Sequence, residues 1–502
     1  MAASQTKIIT KLRERRQIES DLQQMRSAGS QAALQQQAER IAGLGSQVIP
    51  AIVGNLDLAD APLVAAMGTV AAHVDRDEVA EALRLAVHQP HRTDRGRLAA
   101  ITILDRYLGM PPDDSLLENL VDPQAAAVRS LRDVLEEAKE TPAVLVEYLQ
   151  GLDRQEPDTG LAVVWSLREA ADLLSVEPLR LMAQDVRDEI AAEALQALGD
   201  IRLVESAQSL QTLFPVVSPS LRPLAERALR KLQFGGIEVQ ELGQPDPEWR
   251  ALVSPVDSMG QQSVWFVQAE GDAGQARFLN VLLSDRAGAV EAAGYRQVSL
   301  QALPPRRQAG HVHDVVLPGG PGVLLMLEIS FERGRYLVAE ALARNRETQI
   351  PIAGVLRMLS TWLWDTVAAQ APEGRVLPEL SVEDGVGIAG SDRLLSHPAF
   401  ATWSLQSEGT LQAAHDALRH PGFGVDAWVR RLTAELLEER AVLEVLSRRL
   451  VTMSEWLLLA GEEEFSRLAL VSASALLGKE LHEHPFVSAL VRRDLELAEQ
   501  SL

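Results

Sequence analysis

Cysteine is absent from this chain, which removes disulfides, thiol catalysis and thiolate-built zinc sites at once. Aromatic residues are scarce, at 4%. Sheet proteins lean on aromatic and β-branched side chains, so this scarcity favours helices. No run of about 18 apolar residues occurs, and the first residues lack the apolar core of a signal peptide. No membrane span is therefore expected, and a cytoplasmic location follows as the expectation. Lysine is nearly missing, at positions 7, 11, 139, 231 and 479 only. That bias towards Arg, with abundant Ala and Leu, is the one a GC-rich bacterial genome produces.

Positive charge is also in deficit. Acidic residues outnumber basic ones by 70 to 48, a formal charge of −22. Nucleic-acid binding relies on Lys and Arg neutralising phosphates, so nucleic acid is disfavoured as a partner. The one locally basic stretch, Lys7, Lys11, Arg13, Arg15 and Arg16, reads as a solvated helix end.

What is present is a helix-rich globular composition, 46% apolar and 24% charged, over 502 residues. Length alone suggests about three domains. The clearest unit begins Val186-Arg187 and continues with Ile190, Ala191, Ala194, Leu195 and Leu198 on one helical face. Gly199 is expected to end that helix in a left-handed conformation. A second helix then turns Ala207, Leu210, Leu213 and Phe214 the same way. Looser versions carry Val64, Met67, Val70 and Ala71 before Val79, Ala82, Leu83 and Val87. Another has Ala99, Ala100, Ile103, Leu104 and Leu108 before Leu116, Leu117 and Leu120. Leu161 to Met182 repeats the form, Ala125 to Leu149 fits it less well, and Leu221 to Leu232 reads as a closing helix. The units recur about every 30 residues, the spacing of helical repeats.

The stretch from Val186 to Ile201, with Ala191, Ala194, Leu195, Leu198 and Gly199 at its fixed positions, resembles a HEAT repeat of the short bacterial, phycobilisome-lyase-like kind. The resemblance implies an α-solenoid of five or six imperfect helix pairs over residues 45–234. Residues 1–44 form a leading helix or hairpin. Proteins of that kind include enzymes that attach or detach bilins, and HEAT-like folds include DNA glycosylases with a basic groove.

Phe234-Gly235-Gly236 and then Pro245, Pro247 and Pro255 mark residues 235–260 as a linker by composition. Beyond it the period becomes strand-like. Ser263 to Ala269 and Arg277 to Leu283 flank the turn Gly271-Asp272-Ala273-Gly274, which reads as a hairpin. A further strand is expected near His313 to Leu317, and Ser330 reads as the N-cap of a helix through Arg346. Residues 261–350 are thus a small α+β domain. From 351 to 502 helices return as a bundle or a second short solenoid: Trp428 to Glu439, Val442 to Leu459, Glu464 to Leu477 and Pro485 to Glu499, with Gly461 and Gly478 as stops. The expected class is mainly α: an N-terminal solenoid, a small α+β middle domain and a C-terminal helical domain.

Candidate chemistry is thin. Gly385-Val386-Gly387-Ile388-Ala389-Gly390 matches the dinucleotide fingerprint literally, but Leu380 to Asp384 is a poor strand and no helix pattern follows. A loop is the better reading. His311 and His313 alternate as a chelating pair on a strand would, yet no third ligand is identifiable. His482-Glu483-His484 precedes Pro485 in a helix-entry turn. Glu462, Glu463 and Glu464 suit the dipole at a helix start, and Trp362 and Trp364 read as core. Arg222, Arg227, Arg230 and Lys231 cluster at the end of the expected stack, where acids of the next domain could pair with them, and the overall charge disfavours a nucleic-acid face there.

No catalytic, cofactor-binding or metal-ligating residue is assigned, and no cofactor is expected. A solenoid offers a broad surface of independently variable positions, whose usual product is protein recognition. The expected role is a non-enzymatic interaction or scaffold protein of the bacterial cytoplasm. The alternatives are a bilin-lyase-like HEAT enzyme, a HEAT-like DNA-binding or glycosylase protein, and a metal-dependent hydrolase using His311 and His313.

Overall fold

The computed structural model describes residues 17–18, 20–22, 24–25, 31–110, 116, 123–139, 141–270, 274–316, 323–367, 388–405, 425–478 and 483–500. It is mainly helical, with one antiparallel sheet. The chain divides into two compact units, Met1–Met182 with Ala192–Ile201, and Ala183–Ala191 with Arg202–Leu502. The division falls inside the stretch 45–234 that was expected to form one stack.

The first unit is built of short helices: α1 (Gln31–Ala42), α2 (Ile49–Asn55), α3 (Ala61–Ala71), α4 (Arg76–Val87), α5 (Asp94–Thr102), α6 (Pro123–Ala138), α7 (Ala143–Asp153), α8 (Pro157–Ala170) and α9 (Leu173–Met182). Helix α10 (Asp188–Asp200) contains the division. Helix starts are chemically marked. Asp60 accepts from the Leu63 amide, Asp75 from those of Asp77 and Glu78, and Thr93 from that of Gly96. Each such cap satisfies amides that the helix itself leaves unbonded. The expected apolar faces are buried: Met67, Val70, Val79, Leu83 and Leu104 are at most 1% exposed. At α10 the expectation fails in one detail. Ile190, Ala194, Leu195 and Leu198 are buried as expected, but the helix runs through Gly199 to Asp200, and Gly199 keeps a right-handed backbone.

One polar joint in this unit is dense. The Asp57 carboxylate accepts from Arg92 Nη1 at 2.7 Å, the Thr93 amide at 2.9 Å and the Thr93 hydroxyl at 2.7 Å. Arg97 donates to the Val87 and Gln89 carbonyls, which ties the α4–α5 connection down.

In the second unit, α11 (Val204–Leu213) and α12 (Arg222–Phe234) precede the sheet. Its strands are β1 (Trp249–Val253), β2 (Gln261–Glu270), β3 (Gln275–Ser284), β4 (Gly288–Ser299), β5 (Val312–Val316) and β6 (Val323–Ile329), in the order β4-β3-β2-β1-β6-β5. The expected hairpin is β2–β3, in register from Gln261↔Ser284 to Glu270↔Gln275. The linker expected over 235–260 is corrected: Trp249–Val253 pairs with both β2 and β6. All five of its residues are buried, so the alternation that betrays a half-exposed strand is missing.

Helix α13 (Phe331–Thr348) starts at Ser330, whose side chain accepts from the Arg333 amide as expected. It lies across β1 to β4. A Cβ on Gly334 would stand 2.7 Å from the Phe266 ring and 2.8 Å from the Ala251 Cβ, so only glycine permits this approach. The opposite face of the sheet carries Leu252, Trp265, Val267, Ala276 and Met326, with Leu300 and Leu303 of the β4–β5 connection packed on them.

After α14 (Gly354–Leu359), the C-terminal helices are α15 (Val425–Glu438), α16 (Arg440–Leu459), α17 (Glu463–Leu476) and α18 (Pro485–Gln500), each within three residues of its expected bounds. Gly461 turns the chain between α16 and α17 at φ +84°. These two helices are antiparallel and joined by serines. Ser447 donates to the Ala473 carbonyl, while Ser454 and Ser466 donate to each other's carbonyls. The sheet is held to these helices by indole and guanidinium donors. Trp456 Nε1 reaches the Val253 carbonyl at 3.1 Å and Trp403 Nε1 the Val256 carbonyl at 2.9 Å. Arg449 binds Asp285 Oδ2 at 2.7 Å, the Met259 carbonyl at 3.0 Å and the Ser258 carbonyl. Arg493 likewise holds the Phe400 carbonyl at 2.7 Å and that of Leu395.

Candidate functional site

Alternation along three neighbouring strands brings charge onto one face. Leu252 pairs with Glu328 in register and His313 with Met326, so Arg250 of β1, Glu328 of β6 and His313 of β5 form a diagonal across the sheet. They lie on the face opposite α13, beside Leu252 and Met326. Arg250 Nη1 donates to Glu328 Oε1 at 3.2 Å and Oε2 at 3.0 Å, and His313 Nε2 stands 3.0 Å from Oε2. All three side chains are buried, Glu328 at 2% exposure. Arg250 also donates to the Pro304 carbonyl. Burial pushes the His313 imidazole down, and the Glu328 carboxylate offsets only part of that.

A cleft of about 420 Å³ opens over the Arg250–Glu328 pair. One wall is the stacked pair Trp249 and Phe331, with ring centroids 5.2 Å apart. Arg306 and Arg307 stand at its edge, and Arg306 is bonded to the Pro247 carbonyl at 2.7 Å and to Glu248 at 3.3 Å. Both oxygens of Glu328 are engaged by neighbours, and His313 Nε2 is committed to the same carboxylate. Chemically this is a brace. A buried carboxylate held by two cationic or donor groups is costly to break, and its lone pairs are already taken up by protein donors.

The His-x-His expectation is met in one respect. The rings of His311 and His313 meet edge to face, 4.7 Å between centroids. His313, however, turns Nε2 to Glu328. Among the described residues no group of three His, Asp or Glu side chains is placed to hold a metal ion.

The remaining candidates resolve singly. Gly385, Val386 and Gly387 lie outside the described residues, while Ile388 to Gly390 open a 3₁₀ segment, Ile388–Ser396. His482 also lies outside them. His484 is fully buried, with Nε2 at 3.2 Å from the Ser472 carbonyl and Nδ1 without a bond. Glu463 and Glu464 occupy the first turn of α17. Trp362 and Trp364 are core, at 8% and 2% exposure. Of the basic cluster on α12, Arg230 pairs with Glu226 of its own helix, 3.7 Å away. Arg222, Arg227 and Lys231 are exposed. Sequence spacing held no sign of Arg250 and Glu328, which are 78 positions apart and meet only through strand order. No protein-family model matches the chain, and no curated protein matches it.

Proposed function

We infer that this chain is a non-enzymatic recognition or scaffold protein of the bacterial cytoplasm, with a HEAT-like α-solenoid as its docking surface. The observation that carries this reading is the serial packing of short helices in the first unit, where contacts run mainly between helices close along the chain. Such an array presents its outer residues independently of its core, which is the property recognition uses. Exposed Leu85 and Trp165 on these helices, with exposed Leu58 between α2 and α3, supply apolar and aromatic anchors of the kind that dominate interfaces. The buried Arg250–Glu328–His313 brace supports the same reading, because its acid and its imidazole satisfy each other.

The test is in-cell crosslinking of the full chain, with Trp165→Ala and Leu85→Asp variants beside the parent. Recovery of a specific protein partner, diminished by either variant, is the expected result. Turnover in a screen of hydrolase substrates by a chain that captures no partner would overturn the reading.

A further inference from the structure

We propose that the second unit carries its own docking groove, and that its occupant is an amphipathic helix of a protein partner with an acidic end and a basic end. The proposal rests on the recognition reading above, applied to a different surface.

The groove, about 530 Å³, runs along α16. Its middle is apolar: Leu436, Val442, Val445 and Leu446 from the helices, with Leu405 beside them. All but Leu446 are half-buried, so solvent reaches a continuous aliphatic strip. The two ends differ in charge. At one end is exposed Arg286, next in sequence to Asp285, which Arg449 grips at 2.7 Å. At the other is exposed Glu439, immediately before the first residue of α16.

Arg449 lies ten residue steps along the helix from Glu439, roughly 15 Å at the helical rise. A partner helix of about three turns spans that length, with apolar residues at i, i+3, i+4 and i+7 on the strip. Charge complementarity sets its direction, placing an Asp or Glu beside Arg286 and a Lys or Arg beside Glu439. An end-to-end charge pattern selects register and orientation more than raw affinity. The floor of the positive end is rigid, because Arg449 fixes the Ser258 and Met259 carbonyls as well as Asp285. The partner meets a preformed surface, so the ordering cost falls mainly on its own helix.

The experiment is a display selection on the purified full chain, using a library of helical peptides about 14 residues long with a fixed apolar stripe. The expected peptides carry acid at one end and base at the other. Val445→Asp should weaken them by about tenfold or more. The exchange Arg286→Glu with Glu439→Lys should invert the preference. Both exchanged residues are exposed, so helical content and melting temperature report whether that variant is folded.

Selected peptides that ignore the charge exchange overturn the proposal, as does a selection that enriches nothing. Decanoate binding in place of peptides, or self-association lost on Val445→Asp, also overturns it by naming another occupant. Partners crosslinked through Trp165 or Leu85 should be unaffected by the exchange, which separates this proposal from the wider reading.

Discussion

The side-chain amide of Asn345 does for Ala289 what a neighbouring strand would do. Its Oδ1 accepts from the Ala289 amide at 2.7 Å, and its Nδ2 donates back to the Ala289 carbonyl at 3.3 Å. Nδ2 also reaches the Ile350 carbonyl at 3.1 Å, so one buried side chain joins the start of β4 to the end of α13. Asn345→Leu leaves these groups unbonded in the core. Each costs about 1–3 kcal/mol, so a loss of roughly 2–5 kcal/mol is expected from the urea midpoint. Gly288→Ala should destabilise as well. Its φ is +86°, and a Cβ there would stand 2.3 Å from Asn345 Oδ1.

The Arg250–Glu328–His313 brace makes a second prediction. Glu328→Ala strands a buried guanidinium and should cost about 3–5 kcal/mol. The double replacement Arg250→Met with Glu328→Leu removes both charges and should cost less than either single change. A double-mutant cycle from chemical unfolding reads the difference. Equal or additive losses would show that packing, not charge, governs the site.

His484 is expected to make the C-terminal helices acid-labile. Burial depresses its imidazole, while the Ser472 carbonyl opposes this only in part. The neutral form is thus favoured in the folded chain. The associated stability is fully present above the unfolded value near 6.5 and is lost as pH falls through the folded pKa. His313 is depressed for the same leading reason and acts in the same direction. Thermal melts between about pH 7 and pH 5 should fall for the parent, and fall less steeply for His484→Gln. A slope unchanged by that substitution would assign the effect elsewhere.

Asp57 acts with the opposite chemistry but the same sign. Burial raises its carboxyl, yet the Thr93 hydroxyl and amide, with Arg92, lower it further. Its contribution is present above about pH 4 and lost as pH falls through the lowered value. Asp57→Ala should cost about 1–3 kcal/mol at neutral pH by orphaning partners across the α2–α5 joint. Hydrogen exchange at the Thr93 amide should quicken alongside that loss.

How far the fold could be read from residues depended on exposure. Strand β3 alternates buried and half-buried positions and the helices α15 to α18 keep one wet face, so their periods survive in the sequence. Strand β2, buried through residues 264–267, is betrayed instead by its β-branched and aromatic run. Strand β1 is buried throughout and sits among Pro245, Pro247 and Pro255, so turn residues masked it. Strand β4 contains three alanines and two glycines and is an edge, which removes the usual β-branched signature. Gly199 shows the converse error. A glycine that could have ended a helix did not, because neighbouring Leu195 and Leu198 are buried and packing outweighs a propensity of about 1 kcal/mol. The brace and the groove were invisible for a different reason. Their residues come together through tertiary pairing, and no short spacing records that.

The grip of Arg449 on the Ser258 and Met259 carbonyls, and that of Arg493 on Leu395 and Phe400, falls on main chain. A carbonyl is present whatever side chain the residue bears. Where the gripped residue is exposed, as Met259 is, its side chain is free to drift in sequence, while the gripping arginines are not, and lysine is no substitute for a planar fork with several donors. Tolerance to substitution should run one way across the Arg449 joint: high at exposed Met259, low at Arg449.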